Sequence, residues 1–223
     1  MAGCGNIYDK IIDFNETLDQ MALTYMQEKY GESFSTPPQD QAVHYYPNMA
    51  SGSVRAIPET HPEWIITVKF QQPREGEFTF TDNYVGFLIR DELAAFYLPY
   101  VQQVYGEEVI TFVGEPGTIS RPAEFDKNTT AEEYALGFMQ AGCRIYTASD
   151  PEQRDAKAEE LWQIMNSNGF AGTYKIYYMT QEVLEEITVE ALRAGTRFPY
   201  MWQGVLYSST NSDNPYEPVK WYN

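Results

Sequence analysis

The chain has 223 residues, 43% of them hydrophobic, so a single core can bury roughly 70–75% of the surface the unfolded form exposes, with no metal or disulfide staple required. Thirty-two acids against fifteen bases give a formal net charge of −17, which makes a surface that repels phosphate backbones and anionic head groups and argues against a nucleic-acid partner. No apolar run approaches the roughly 18 residues of a transmembrane segment, and Cys4 and Cys143 stand too far apart in different contexts to suggest a disulfide framework.

At the N-terminus, Ala2-Gly3-Cys4 places a small residue and a glycine before a cysteine. This resembles the cleavage end of a bacterial lipoprotein signal. On those residues the chain is similar to the uncharacterised lipoproteins of Gram-positive bacteria. The resemblance implies lipidation of Cys4 and a domain held at the extracellular face of the cell membrane. The alternative is an ordinary terminus on a cytoplasmic, acidic protein that binds a partner.

Ile7, Ile11, Phe14, Leu18, Met21, Ala22 and Tyr25 recur at intervals of three and four and predict a long amphipathic helix, closed by Lys29-Tyr30-Gly31. Residues 35–62 are rich in Pro, Ser, Gln and Asn, and predict loops with one short strand over 53–57. Residues 64–70 and 77–81 alternate as half-buried strands around a turn at 73–76. The run 84–89, Tyr-Val-Gly-Phe-Leu-Ile, is apolar at successive positions and reads as a central strand feeding a helix over 91–105 that Gly106 ends. Beyond it, strands are expected at 109–113, 143–147, 173–179 and 201–208. Helices are expected at 131–141 behind Asn128-Thr129-Thr130, at 151–166 behind Asp150-Pro151, and after Thr180 through Val183, Leu184, Ile187 and Ala191. The sum is one α+β domain over residues 1–210: a mixed, largely antiparallel twisted sheet covered by about five helices, followed by a polar tail, 211–223.

No motif compels a chemistry. Gly-x-Ser-x-Gly, a Walker loop with its lysine, Gly-x-Gly-x-x-Gly, HExxH and paired Cys-x-x-Cys strings are all missing from the sequence, and no cofactor is implied. The two histidines, His44 and His61, with Glu63 two residues after the second, are the metal-ligand candidates, although no ligand spacing supports them against exposed loop histidines. Cys143 beside Arg144 would be a nucleophile only with a stabilised thiolate, and a buried core cysteine explains it as well. Glu107-Glu108, Glu132-Glu133, Glu159-Glu160 and Glu185-Glu186 read as solvated faces or helix-start acids, and Asp82 and Asp91 bracket the expected central strand too far apart to share a bond. Eighteen Tyr, twelve Phe and four Trp exceed what such a core obviously needs, and flat rings with a hydroxyl suit a protein or carbohydrate ligand. The reading favours a non-catalytic binding or interaction module over a hydrolase using carboxylates or a loop metal.

Overall fold

The computed structural model describes residues 5–38, 51–72, 76–117, 121–137, 141–208 and 216–223. They form an α+β fold in two compact units, Met1–Phe87 with Gly117–Asn128 and Leu88–Pro116 with Thr129–Asn223. The α+β class holds, but the strands divide between two sheets rather than one, and seven α-helices are found among the described residues. No described helix is long and apolar enough to cross a membrane.

The first unit begins with helix α1, Gly5–Tyr30, which buries Leu18, Ala22, Met26 and Tyr30, one residue per turn along one stripe. Gly31 closes it at φ 74°, a left-handed position where a side chain would be strained. Strands β1 (Phe34–Ser35), β2 (Ser51–Pro58), β3 (Ile66–Gln71) and β4 (Thr79–Asp82) then make an antiparallel sheet in chain order. The predicted turn at 73–76 lies mostly outside the described residues.

The expected central strand over 84–89 is instead helix α2, Tyr84–Leu88. Its burial is as expected, with Tyr84 and Val85 at 0% exposure. A short run that is apolar all round fits a buried helix as well as a buried strand, so periodicity alone cannot choose. Capping chemistry decides. The Tyr84 N–H donates to Asp82 Oδ1 at 2.8 Å, and the Gly86 N–H donates to the Asn83 carbonyl at 3.2 Å, so Asp82-Asn83 starts a turn of helix rather than merely interrupting a strand.

In the second unit, helix α3 (Arg90–Tyr105) precedes β5 (Val109–Phe112), α4 (Ala131–Gly137), β6 (Ala141–Thr147), a short 3-10 turn at Pro151–Gln153, α5 (Arg154–Ser167), β7 (Gly172–Tyr178), α6 (Gln181–Glu185), α7 (Val189–Arg193), β8 (Trp202–Ser208) and β9 (Trp221–Tyr222). The sheet runs β5-β6-β7-β8-β9, with β6 and β7 parallel and the other pairs antiparallel. Helix α4 starts with a capping box: Thr130 N–H donates to Glu133 Oε2 at 2.8 Å while Glu133 N–H donates to Thr130 Oγ1 at 3.2 Å.

The helix expected after Thr180 is two short ones, because the hydroxyl of Thr188 accepts from the Ala191 N–H at 3.1 Å and caps a second start inside the run. The expected tail is also corrected at its end. Residues 209–215 lie outside the described residues, but Trp221 pairs with Gly204 and Tyr222 with Gln203 as an edge strand. The Trp221 Nε1–H donates to Asp155 Oδ1 at 2.6 Å, so a residue read as part of a polar tail is fixed on α5.

Alternate residues of this sheet face opposite ways. Cys143, Ile145, Tyr174, Ile176 and Leu206 form one side, none more than 1% exposed. They lie with Tyr97 of α3, whose ring meets Tyr174 edge-on at 5.6 Å, and with the buried Leu161 and Met165 of α5. On the other side the cover given by the described residues lies at one end: Phe112 and Tyr146 join Met179, Leu184, Ile187 and Leu192 in a second core cluster.

Candidate functional site

Cys4 and His44 lie outside the described residues. The ring of His61 stacks on Trp64 at 3.8 Å with an interplanar angle of 9°, and its Nδ1 lies 3.3 Å from Glu63 Oε1. Among the described residues no group of three or more His, Cys, Asp and Glu side chains could hold a metal ion. Cys143 is buried, and burial pushes its thiol up to about 12, which keeps it protonated near neutral pH. The paired glutamates are exposed, and Glu132 and Glu133 stand in the first turn of α4, where Glu133 closes the capping box. Asp91 is exposed and pairs with Arg193.

Asp82 proves to be the centre of the first unit. It is fully buried, and its Oδ2 accepts from Lys29 Nζ at 2.8 Å and the Tyr25 hydroxyl at 2.9 Å. Its Oδ1 accepts from the Tyr30 hydroxyl at 2.7 Å and the Tyr84 N–H. Tyr25, Lys29 and Tyr30 come from the last turns of α1, where spacings of four and five bring them to neighbouring faces. Burial first, then the adjacent Asp82 carboxylate, raises both tyrosine hydroxyls well above their ordinary range, so they serve as donors and not as bases. Asn83 continues the network: its Oδ1 accepts from Thr67 N–H at 2.8 Å and its Nδ2 donates to the Gly117 carbonyl. Every acceptor on Asp82 is occupied by protein, which suits a structural hub.

A surface of different character lies on the second unit, on the uncovered part of the β5–β9 sheet. Register places its side chains in rows. Phe112, Arg144, Lys175 and Val205 are successive partners across four strands, and two residues along each strand lie Ile110, Tyr146, Tyr177, Gln203 and Tyr222. In the opposite direction Thr173 faces Tyr207. Tyr207 is 69% exposed and Tyr222 58%, while Arg144 and Lys175 are exposed as well. The guanidinium of Arg144 lies 5.7 Å from the centroid of the Phe112 ring. Tyr146 and Tyr177 stack at 5.0 Å and 13°, and Tyr200 meets Tyr177 edge-on at 5.6 Å, making an aromatic wall at the covered end. Burial raises the Tyr146 hydroxyl, and a hydrogen bond with Arg144 partly opposes it. The arrangement is a floor of rings and cations bounded by a wall, with contact chemistry and, among the described residues, no paired acid and base.

Sequence reasoning counted the tyrosines without locating this floor. The signal available was strand alternation: in β6 and β7 the buried Cys143, Ile145, Tyr174 and Ile176 leave Arg144 and Lys175 on the opposite side.

No family model and no curated protein matches the chain. Among solved structures it is similar to a DUF5037 family protein from Ruminococcus gnavus ATCC 29149, with 16% sequence identity over 89% of this chain and 95% of that one and a TM-score of 0.36. A likeness of that degree carries no argument about fold or function.

Proposed function

We propose that the chain is a non-catalytic binding module whose contact surface is the open part of the β5–β9 sheet, tethered at the outer face of the cell membrane through Cys4. The observation that carries the binding reading is the exposure of Tyr207 and Tyr222 on the same sheet face as Arg144 and Lys175. Large rings left in water on a regular sheet are a cost to solubility that a ligand surface explains, since they give contact area at small entropic loss. Support for the tether is the Ala2-Gly3-Cys4 string alone.

The binding reading is tested by screening glycan and peptide arrays with the wild-type protein and with a Tyr207→Ser/Tyr222→Ser variant. Binding that the double variant loses while its circular dichroism is unchanged supports the surface; binding that the variant retains in full refutes it. Palmitate labelling of cells expressing the full gene tests the tether, and label that persists in a Cys4→Ser variant contradicts it.

A further inference from the structure

The floor of the open surface sets two bases side by side. Arg144 and Lys175 are register partners in the parallel pair β6 and β7, on the same face, and both are exposed. Among the described residues neither is paired with a carboxylate. Like charges directly opposite one another weaken a sheet. Acids outnumber bases here 32 to 15, yet the neighbouring strand positions hold Phe112, Tyr146, Thr173, Tyr177, Val205 and Tyr207, and none is acidic. A local rule is broken, and although the Phe112 ring and the Tyr146 hydroxyl contact Arg144, no described neighbour brings a negative charge to the pair, which suits a site for an anion.

Resting on the contact-surface reading above, we propose that Arg144 and Lys175 receive the carboxylate of an acidic sugar, a uronate within an oligosaccharide, while neighbouring sugar rings lie on Tyr207. The planar guanidinium takes a carboxylate through two parallel hydrogen bonds, held in orientation by the Phe112 ring beneath it, and the lysine adds a point charge. Tyr207 faces Thr173, which precedes Lys175 by two residues on the same side, about 7 Å along the strand. That spacing lets a ring stack beside the carboxylate site, with the Tyr207 and Thr173 hydroxyls available to sugar hydroxyls. An acidic peptide fits less well, because extended peptides add to sheets through the free backbone of an edge strand, whereas β6 and β7 are interior strands whose backbone is already paired. The overall charge of −17 does not forbid the anion. At physiological ionic strength charges are screened over about 8 Å, so the cations in contact outweigh the distant acids.

The test is titration calorimetry of the whole protein with trigalacturonate and with a hyaluronate hexasaccharide, against methyl-esterified trigalacturonate and a hexaglutamate peptide as comparators. The expected result is binding of a uronate sugar that added salt weakens, with roughly tenfold lower affinity for the ester and for an Arg144→Gln/Lys175→Gln variant. The ester and salt comparisons use the unaltered protein, so they decide the matter even if the variant folds badly. Equal affinity for acid and ester overturns the carboxylate site. In that case loss of binding in Tyr207→Ser/Tyr222→Ser would leave the contact surface standing. Failure of both uronate sugars to bind overturns the inference, and so does preference for the glutamate peptide, which would assign the surface to a protein partner.

Discussion

Replacing Asp82 with Asn removes the anion at the centre of the first unit while keeping its shape. An Asn oriented with Oδ1 in place keeps the bonds from Tyr30 and the Tyr84 N–H, at 2.7 and 2.8 Å in the wild type. Its Nδ2 then points donor hydrogens at Lys29 Nζ and the Tyr25 hydroxyl, where the carboxylate had accepted at 2.8 and 2.9 Å. Breaking a buried ion pair from one side costs about 3–5 kcal/mol. The Lys29 side chain is 10% exposed and keeps its contact with Tyr25, so part of its charge can still be solvated. A loss of about 2–4 kcal/mol is expected for Asp82→Asn. Urea unfolding followed by far-UV circular dichroism and tryptophan fluorescence measures it, with Lys29→Met and the double variant completing a cycle. The double variant removes both charges together and should cost at least about 1.5 kcal/mol less than the sum of the single changes. A loss below about 1 kcal/mol for Asp82→Asn, or single effects that simply add, would refute the description of Asp82 as the hub.

Three further outcomes follow from local geometry. In a Cys4→Ser background the native protein should resist iodoacetamide at mildly alkaline pH and react once unfolded in urea, because Cys143 is buried with its thiol pushed up to about 12; native-state labelling would contradict the burial. Cys143, Tyr30, Tyr105 and Tyr174 all have raised values in the folded state, so the unfolded chain releases those protons first. Their contribution to stability is therefore whole below about pH 8.5 and declines as pH rises beyond it, and urea midpoints that keep rising above pH 10 would be the opposite result. For Gly204→Val, a Cβ would lie 2.5 Å from Val219 and 2.6 Å from the Trp221 ring; the variant should release β9, increase acrylamide quenching of tryptophan and lose about 1–3 kcal/mol, whereas unchanged quenching would contradict the packing.

The second unit was the more legible in the sequence because its elements announce themselves locally. Asp150-Pro151, Thr130 with Glu133, and Thr180 each supply a cap, and the strands alternate, so element types could be read off short windows. Residues 84–89 misled because a six-residue apolar run has no period to read, and the meaning of Asp82-Asn83 as a cap depends on the turn it makes with Tyr84 and Gly86. The split at Thr188 was missed although a capping residue stood in view, since the apolar spacing carried through it. Neither site was legible as an assembly. Tyr25, Lys29 and Tyr30 share a helix end, but nothing local says that a carboxylate more than fifty residues on will meet them. Arg144 and Lys175 each sit in a plain strand, and their pairing follows from a parallel register set across the intervening α5, which no short-range pattern encodes.

The contact surface is tested most directly by following backbone amide shifts of isotope-labelled protein while trigalacturonate is added. The account predicts that the largest changes fall on Arg144, Thr173, Lys175, Val205 and Tyr207, with the first unit unchanged. Shifts centred on the Asp82 network, or on residues 61–64, with the β6–β7–β8 face silent, would contradict it.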